Sequence, residues 1–171
     1  MQKHIKIPKN FFEKKAWAEN SFVCGIDEVG RGCLAGPVLA SAVILPIGTK
    51  YRFKDSKILT AKEREQDFLW ITENAFYSTA IVSHTIIDKI NIYQATVHAM
   101  KCAYIQLIDI LPFEYPQLKY LIVDAVPLII NKNYTHSALE IHNFPFGESV
   151  STSIAAASIV AKVTRDHLIT P

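Results

Sequence analysis

Asp27 and Glu28 stand side by side at the end of an apolar run, Phe22–Ile26, and lead into a turn built from Gly30, Arg31, Gly32 and Gly36-Pro37. Two carboxylates at the end of a buried strand are costly to desolvate unless something compensates them. A hard divalent cation held by carboxylate oxygens is the usual compensation where water is scarce. Side chains alternate between faces along a regular strand, so these acids can share a ligand only at a bulge or at the strand's end. Gly30 and Gly32 permit such backbone geometry, and their bare amides can approach a polyanion closely. Two further acids occupy comparable places. Asp124 ends a second apolar run, Tyr120–Val123, and Asp166 lies near the end of a helix-forming stretch. An acidic pair in a turn is, on its own, ordinarily a solvated hairpin; what the rest of the chain brings to it decides its chemistry.

The elements that must position these residues follow from pattern. Val38–Leu45 is a second strand, rich in small and β-branched residues, to set beside Phe22–Ile26. Thr60-Ala61-Lys62-Glu63 has the spacing of a capping box and predicts a helix from there to Asn74. Phe76–Ser83 alternates loosely and predicts a third strand. Ile86, Ile90, Tyr93, Val97, Met100, Tyr104 and Leu107 recur at spacings of four and three, which predicts one long helix with this stripe in the core. His98 lies off the stripe, at the surface. Pro112 and Pro116 mark a loop, and Pro127 bars the strand ending at Asp124 from continuing. Leu139–Phe144 reads as another strand. Ser149–Ile169 is the last helix, with Ser149, Ser151, Thr152 or Ser153 as its cap. Its Ala- and Ser-rich body lets it lie close to a neighbour and brings Asp166 toward the strand ends. Residues 1–20 form a short helix or arm on the domain. This order of elements predicts an α/β domain with a mixed sheet.

The 171 residues are half apolar, enough for one domain with a core and too many for wholesale disorder. The formal charge of +2 announces no particular partner. The basic residues cluster, however: Lys3, Lys6, Lys9, Lys14 and Lys15 near the start, then Lys50, Arg52, Lys54, Lys57, Lys62 and Arg64. Taken alone, such clusters are solvated faces. Cys24, Cys33 and Cys102 fit neither a disulfide framework nor a zinc site and read as reduced thiols of a cytosol. Residues 1–10 lack the apolar core of a signal peptide, and no apolar run approaches the roughly 20 residues of a membrane span. A cytoplasmic chain with no membrane partner is the expectation. A small-molecule phosphatase has little support, for neither a cysteine nucleophile loop nor a Walker glycine string is present.

The string GIDEVGRGCLAGPV, Gly25–Val38, resembles the N-terminal signature of the ribonuclease HII family. Ribonuclease HIII shares the D-E-V-G-R-G core but usually follows it with a bulkier aromatic pair; Cys33-Leu34-Ala35 fits HII better. Three further segments carry the resemblance. Lys54-Asp55-Ser56-Lys57 with Leu59 resembles the family's D-S-K-x-L segment, Leu121-Ile122-Val123-Asp124 its strand bearing the third acid, and Ser153–Asp166 its I-A-A-A-S-I-x-A-K-V-x-R-D stretch. The resemblance implies a ribonuclease H-like fold, a five-stranded mixed sheet flanked by helices.

It also implies a site. Asp27, Glu28, Asp124 and Asp166 are the expected catalytic acids and metal ligands, holding two Mg²⁺ or Mn²⁺ about 4 Å apart with Asp27 between them. The implied substrates are RNA–DNA hybrids and duplex DNA carrying embedded ribonucleotides, cut on the 5′ side to leave a 3′-hydroxyl and a 5′-phosphate. Gly30, Arg31 and Gly32 are expected to sense the 2′-hydroxyl, largely through the backbone. Ser56 and Lys57, and likewise Lys162 and Arg165, are expected on the phosphates. The resemblance implies a monomer that removes ribonucleotides and RNA primers from DNA. A ribonuclease HIII-like nuclease needing longer RNA tracts, or a nucleic-acid-binding remnant without turnover, are the alternatives. Three departures from the family pattern stand out. Ala125 replaces the usual Gly after the third acid, and Val150 stands where a Lys often precedes the last helix. The chain ends at Pro171, where family members usually continue into a segment with a stacking tyrosine. Residues 21–171 are therefore expected to form the catalytic domain without that segment.

Overall fold

The computed structural model describes residues 7–33, 35–112, 117–135 and 137–170. Lys3, Lys6, Leu34 and Pro116, invoked above, lie outside these. In chain order the elements are α1 (Phe11–Ala18), β1 (Phe22–Val29), β2 (Val38–Ile44), α2 (Ala61–Asn74), β3 (Phe76–Val82), α3 (His84–Ile110), β4 (Leu118–Asp124), β5 (Glu140–Phe144) and α4 (Thr152–Ile169). The strands form one sheet in the order β3-β2-β1-β4-β5. β1 pairs antiparallel with β2 and parallel with β4, so the sheet is mixed and β1 is its centre.

Strand parity sorts the two faces. Phe22, Cys24 and Ile26 of β1 pack with Ala95, Ala99 and Met100 of α3. Val23 packs the other way, with Phe12 and Ala16 of α1 and Ile154 of α4. Val43 and Leu45 join Ile71 of α2 and Ala155–Ala157 of α4 on that second face. The expected N-terminal arm is thus a helix docked through Phe12 and Ala16. Its Glu13 is fully buried and accepts hydrogen bonds from the Ser151 hydroxyl and, at 3.1 Å, the Ser153 amide. Of the candidate caps, Ser151 is the one used, accepting from the Ile154 amide at 3.2 Å.

α4 lies closest to β1. A β-carbon on Gly25 would come within 2.2 Å of the Ser153 carbonyl carbon, so glycine is required at that crossing. The small, buried residues Ser153 and Ala155–Ala157 complete the close approach. α2 begins with the predicted capping box: the Thr60 side chain accepts from the Glu63 amide, and Glu63 accepts from the Thr60 amide. The loop before it is pinned by buried Phe53 and by Tyr51, which stacks on Trp70 at 4.6 Å and donates its hydroxyl to Asp67 at 2.6 Å.

α3 departs from its sequence pattern. Asn91 inside it has φ 67° and ψ 163°, which breaks the helix, and its side chain caps the continuation by accepting from the Gln94 amide at 3.0 Å. The fully buried part follows the break: Met100, Tyr104 and Leu107 are buried, whereas Ile86 and Ile90 before it, and Tyr93 just after it, are exposed. The break interrupts the phase of the stripe.

Candidate active site

Asp27 and Glu28 lie within β1, which runs three residues beyond its predicted end at Ile26. What ends there is the parallel ladder: β1–β4 pairing stops at Ile26 and Val123, while β1–β2 pairing continues to Val29 and Leu39. The register shift of β1 against β4 falls at Phe22/Val23, away from the acids. With β4 no longer alongside, the Glu28 amide bonds instead to Asp27 Oδ1 at 2.7 Å. Parity puts Asp27 on the α4 face and Glu28 on the other, yet both line one cleft of about 390 Å³ at the ladder's end. Ser56, Lys57, Ser158 and Lys162 line it too.

Asp124 closes β4 on the α4 face. The following residue, Ala125, holds φ 51°, the left-handed region that favours glycine. Asp124 Oδ1 accepts from the Gly147 amide at 2.6 Å, in the 3₁₀ turn Gly147–Ser149. This turn also supplies a carboxylate absent from the sequence reading. Glu148 is buried, accepts the Ser158 hydroxyl on Oε1 at 2.7 Å, and faces Lys57 with Oε2 at 3.8 Å.

Electrostatics tie the group together. Burial, and after it the charges of Glu28 and Asp124, hold the Asp27 carboxyl well above the usual carboxylate range; Glu148 adds to the push and the Ser158 hydroxyl opposes it. Burial also raises Glu28, with Arg31 working against it through a 3.2 Å ion pair. Burial raises Glu148 as well, opposed by Ser158 and Lys57. Burial alone would lower Lys57, but the carboxylates of Glu148, Asp55, Asp27 and Asp124 outweigh it and hold the ammonium above its ordinary value.

The structure therefore brings Asp27, Glu28 and Asp124 together and joins Glu148 to them. Asp166 is not part of this unit: its Oδ1 accepts from Lys162 Nζ at 2.6 Å, one helical turn away on α4. Glu148 sits in a short irregular turn without periodicity. The only signal for it was a carboxylate just ahead of the Ser-rich start of α4, where the helix dipole favours negative charge.

The expected substrate contacts divide as well. Arg31 and Gly32 are exposed beside the cleft, and a β-carbon on Gly32 would meet nothing within 4 Å among the described residues. Gly30 has φ 105° and lies against the Pro37 carbonyl, which fixes the turn. Lys57 and Lys162 reach the cleft. Ser56 is buried, its hydroxyl 2.8 Å from that of Ser158. Arg165, expected on the helix surface, is only 4% exposed and donates to the carbonyls of Pro37 and Ala35, both at 3.3 Å. It clamps the glycine turn and also lines the cleft. Arg64 of the basic cluster is likewise engaged, donating to the carbonyls of Ser56 and Leu59 at 2.5 and 3.1 Å.

A sequence model of ribonuclease HII matches residues 24–170, which takes in most of β1 and every element from β2 to α4. The chain belongs to the ribonuclease HII family. A ribonuclease HII of Acholeplasma laidlawii is 42% identical over 160 residues, covering 92% of this chain and 72% of that protein. Other ribonuclease HII relatives are longer still, and the chain spans only 52% of the Listeria monocytogenes protein it matches at 43% identity. Among solved structures, the ribonuclease H2 of Pyrococcus horikoshii superposes with a TM-score of 0.64 at 24% identity, over 85% of this chain and 72% of that one. Bst-RNase HIII in complex with Mn²⁺ superposes with a TM-score of 0.65 at 20% identity, over 87% of this chain and 54% of that one. These likenesses support the ribonuclease H fold, in which Asp27 and Glu28 lie on the central strand.

Proposed function

We propose that this chain is a metal-dependent endonuclease that hydrolyses the RNA strand of RNA–DNA hybrids and cuts at ribonucleotides embedded in duplex DNA. The observation that carries the reading is the convergence of Asp27, Glu28, Asp124 and Glu148 at the end of the β1–β4 ladder, beside the open glycine turn. The donor set suits a hard divalent cation, since every donor is a carboxylate oxygen. Glu28 Oε2 is buried without a hydrogen-bond partner among the described residues, and burial, with its acidic neighbours, opposes the charge on Asp27; a cation between them relieves both. Among the described residues no three such side chains yet meet at a single point, so the donors surround the cleft rather than form a finished cage.

Asp27, Glu28 and Asp124, with Glu148 in place of Asp166, are the residues that would hold Mg²⁺ or Mn²⁺, two per site. A bound divalent cation of this kind activates a water and stabilises the leaving oxygen of a phosphodiester. The protein's own part is positional. The buried wall of β1 and α4 keeps water away from one side of Asp27. The exposed backbone at Arg31 and Gly32 supports recognition of a 2′-hydroxyl by the Gly30–Gly32 turn, and Lys57 and Lys162, which line the cleft, suit the neighbouring phosphates. Products with a 3′-hydroxyl and a 5′-phosphate follow from water attacking the phosphorus with the 3′ oxygen leaving. The free thiols Cys24, Cys33 and Cys102 support a reducing, cytoplasmic setting for a monomer acting in ribonucleotide and primer removal.

The test is cleavage of end-labelled duplexes carrying either one ribonucleotide or a continuous RNA tract, with Mg²⁺, with Mn²⁺ and with chelator. Metal-dependent cuts on the 5′ side of the ribonucleotide are expected. Cleavage of long tracts only would favour a ribonuclease HIII-like specificity, and binding without cleavage in either metal would leave a binding remnant.

A further inference from the structure

Phe146 is an anomaly beside the site. Its ring is 81% exposed, and its backbone holds the left-handed conformation, φ 60° and ψ 44°. The backbone geometry has a reason. It aims the Gly147 amide at Asp124 and lets the Phe146 carbonyl accept from the Ser149 amide at 3.0 Å and the Ser149 hydroxyl at 2.8 Å. Asn or Gly would adopt that conformation with less strain, so nothing in the turn calls for a phenyl ring. A single exposed apolar side chain is commonplace. Phe146, however, lines a groove of about 450 Å³ together with Ile58, which is 72% exposed, and with Lys9, Lys54 and Lys57.

The charges of this groove point to its occupant. Its two carboxylates are already engaged: Asp55 accepts the Lys57 amide at 2.8 Å, and Glu148 is held by Ser158 and Lys57. The groove's excess charge is therefore cationic. It is also continuous with the catalytic cleft, because Lys57 lines both and Glu148, which borders the groove, belongs to the acidic group around Asp27. A polyanion bound at the acids has a basic track with an aromatic lip to follow as it leaves.

We propose that the groove between Lys54–Ile58 and Phe146–Ser149 is a second nucleic-acid subsite, where Lys9 and Lys54 take backbone phosphates and Phe146 packs on the face of a sugar or base. The subsite rests on the nuclease reading above and extends it with residues outside the metal cluster. Aromatic contacts of this kind tolerate any sequence, while lysine–phosphate contacts make binding sensitive to salt.

The experiment is fluorescence anisotropy of a labelled RNA–DNA hybrid titrated with protein in chelator, so that no cleavage intervenes, over a range of salt. Phe146→Ala should weaken binding about tenfold and leave the slope against log salt unchanged. Phe146→Asn, which suits the left-handed backbone, should behave like the alanine variant, and Phe146→Tyr should retain affinity. Lys54→Ala should weaken binding and reduce the slope by about one. The ring is exposed, so melting temperatures of the Phe146 variants should stay at or above that of the parent protein. If the parent protein binds the hybrid and both Phe146→Ala and Phe146→Asn bind it equally well, the subsite is wrong, the groove serves a protein partner instead, and the nuclease reading stands. If the parent protein binds no hybrid, both fall together.

Discussion

Ser158 donates its hydroxyl proton to Glu148 Oε1 at 2.7 Å, and the Ser56 hydroxyl lies 2.8 Å behind it. Ser158 also lies within reach of Asp27, whose charged form it favours. One hydroxyl carries one proton, so donation to Glu148 leaves Asp27 to its acidic neighbours, and Ser56 is the donor that completes the chain into Ser158. Ser158 is therefore a positioning residue for Glu148. Ser158→Ala should lower kcat/KM about 10–100-fold, as loss of such supporting contacts does at metal sites. It should leave KM for the duplex little changed, since no phosphate contact is lost. Steady-state kinetics with a thermal melt of the same preparation checks this.

Asp27→Asn should separate stability from activity. It removes the charge that burial and repulsion oppose. Turnover should be lost, while the metal-free protein gains about 0.5–2 kcal/mol at neutral pH. The sign follows from linkage. Below the ordinary carboxylate range, Asp27 is protonated in both folded and unfolded chains, and the substitution gains nothing. As pH rises through that range the unfolded chain ionises while the folded one resists, so the native protein loses ground until pH exceeds the raised folded value. Melts in chelator from acid to neutral pH should show the two proteins diverging as pH increases. A gain in Tm that is constant across pH would contradict the role of charge.

Ala125 is the one departure from the family pattern that the backbone explains. At φ 51° a β-carbon costs roughly 1–2 kcal/mol that glycine avoids. Ala125→Gly should stabilise the protein, less the entropy it adds to the unfolded chain, giving a net gain of up to about 1 kcal/mol. Chemical denaturation with an unchanged m-value is the appropriate measurement.

Glu13 ties α1 to the start of α4 through Ser151 and Ser153. Glu13→Ala removes an acceptor from two buried donors and should cost about 1–3 kcal/mol. In a domain of this size that lowers Tm by about 2–4 °C per kcal/mol. Because α4 carries Ser158, the variant should also lose activity at temperatures well below its melting point.

Much of this was legible in the chain. The capping box at Thr60 and Glu63, the apolar strands and the Ala- and Ser-rich helix are local signals, and each formed its element. Two features were not. The stripe from Ile86 to Leu107 has helical spacing throughout, but spacing cannot show that Asn91 interrupts the phase; Ile86 and Ile90, before it, face solvent for that reason. At the site, Asp27, Glu28 and Asp124 were marked by the apolar strands that end at them. Glu148 was not, because a 3₁₀ turn has no pattern and its burial depends on Ser158 and Lys57, distant in sequence. Arg165 and Asp166 lie in a clear motif, but the motif does not show that Arg165 clamps the Gly36-Pro37 turn or that Asp166 pairs with Lys162.

The central claim is that the acids around Asp27 include Glu148 and not Asp166. Cleavage of a hybrid duplex by Glu148→Gln and Asp166→Asn, measured side by side at saturating Mn²⁺, tests it most directly. Glu148→Gln should lose on the order of a hundredfold in kcat, and Asp166→Asn should stay within a few-fold of the parent protein. Loss of turnover in Asp166→Asn with near-normal rates in Glu148→Gln would contradict the account.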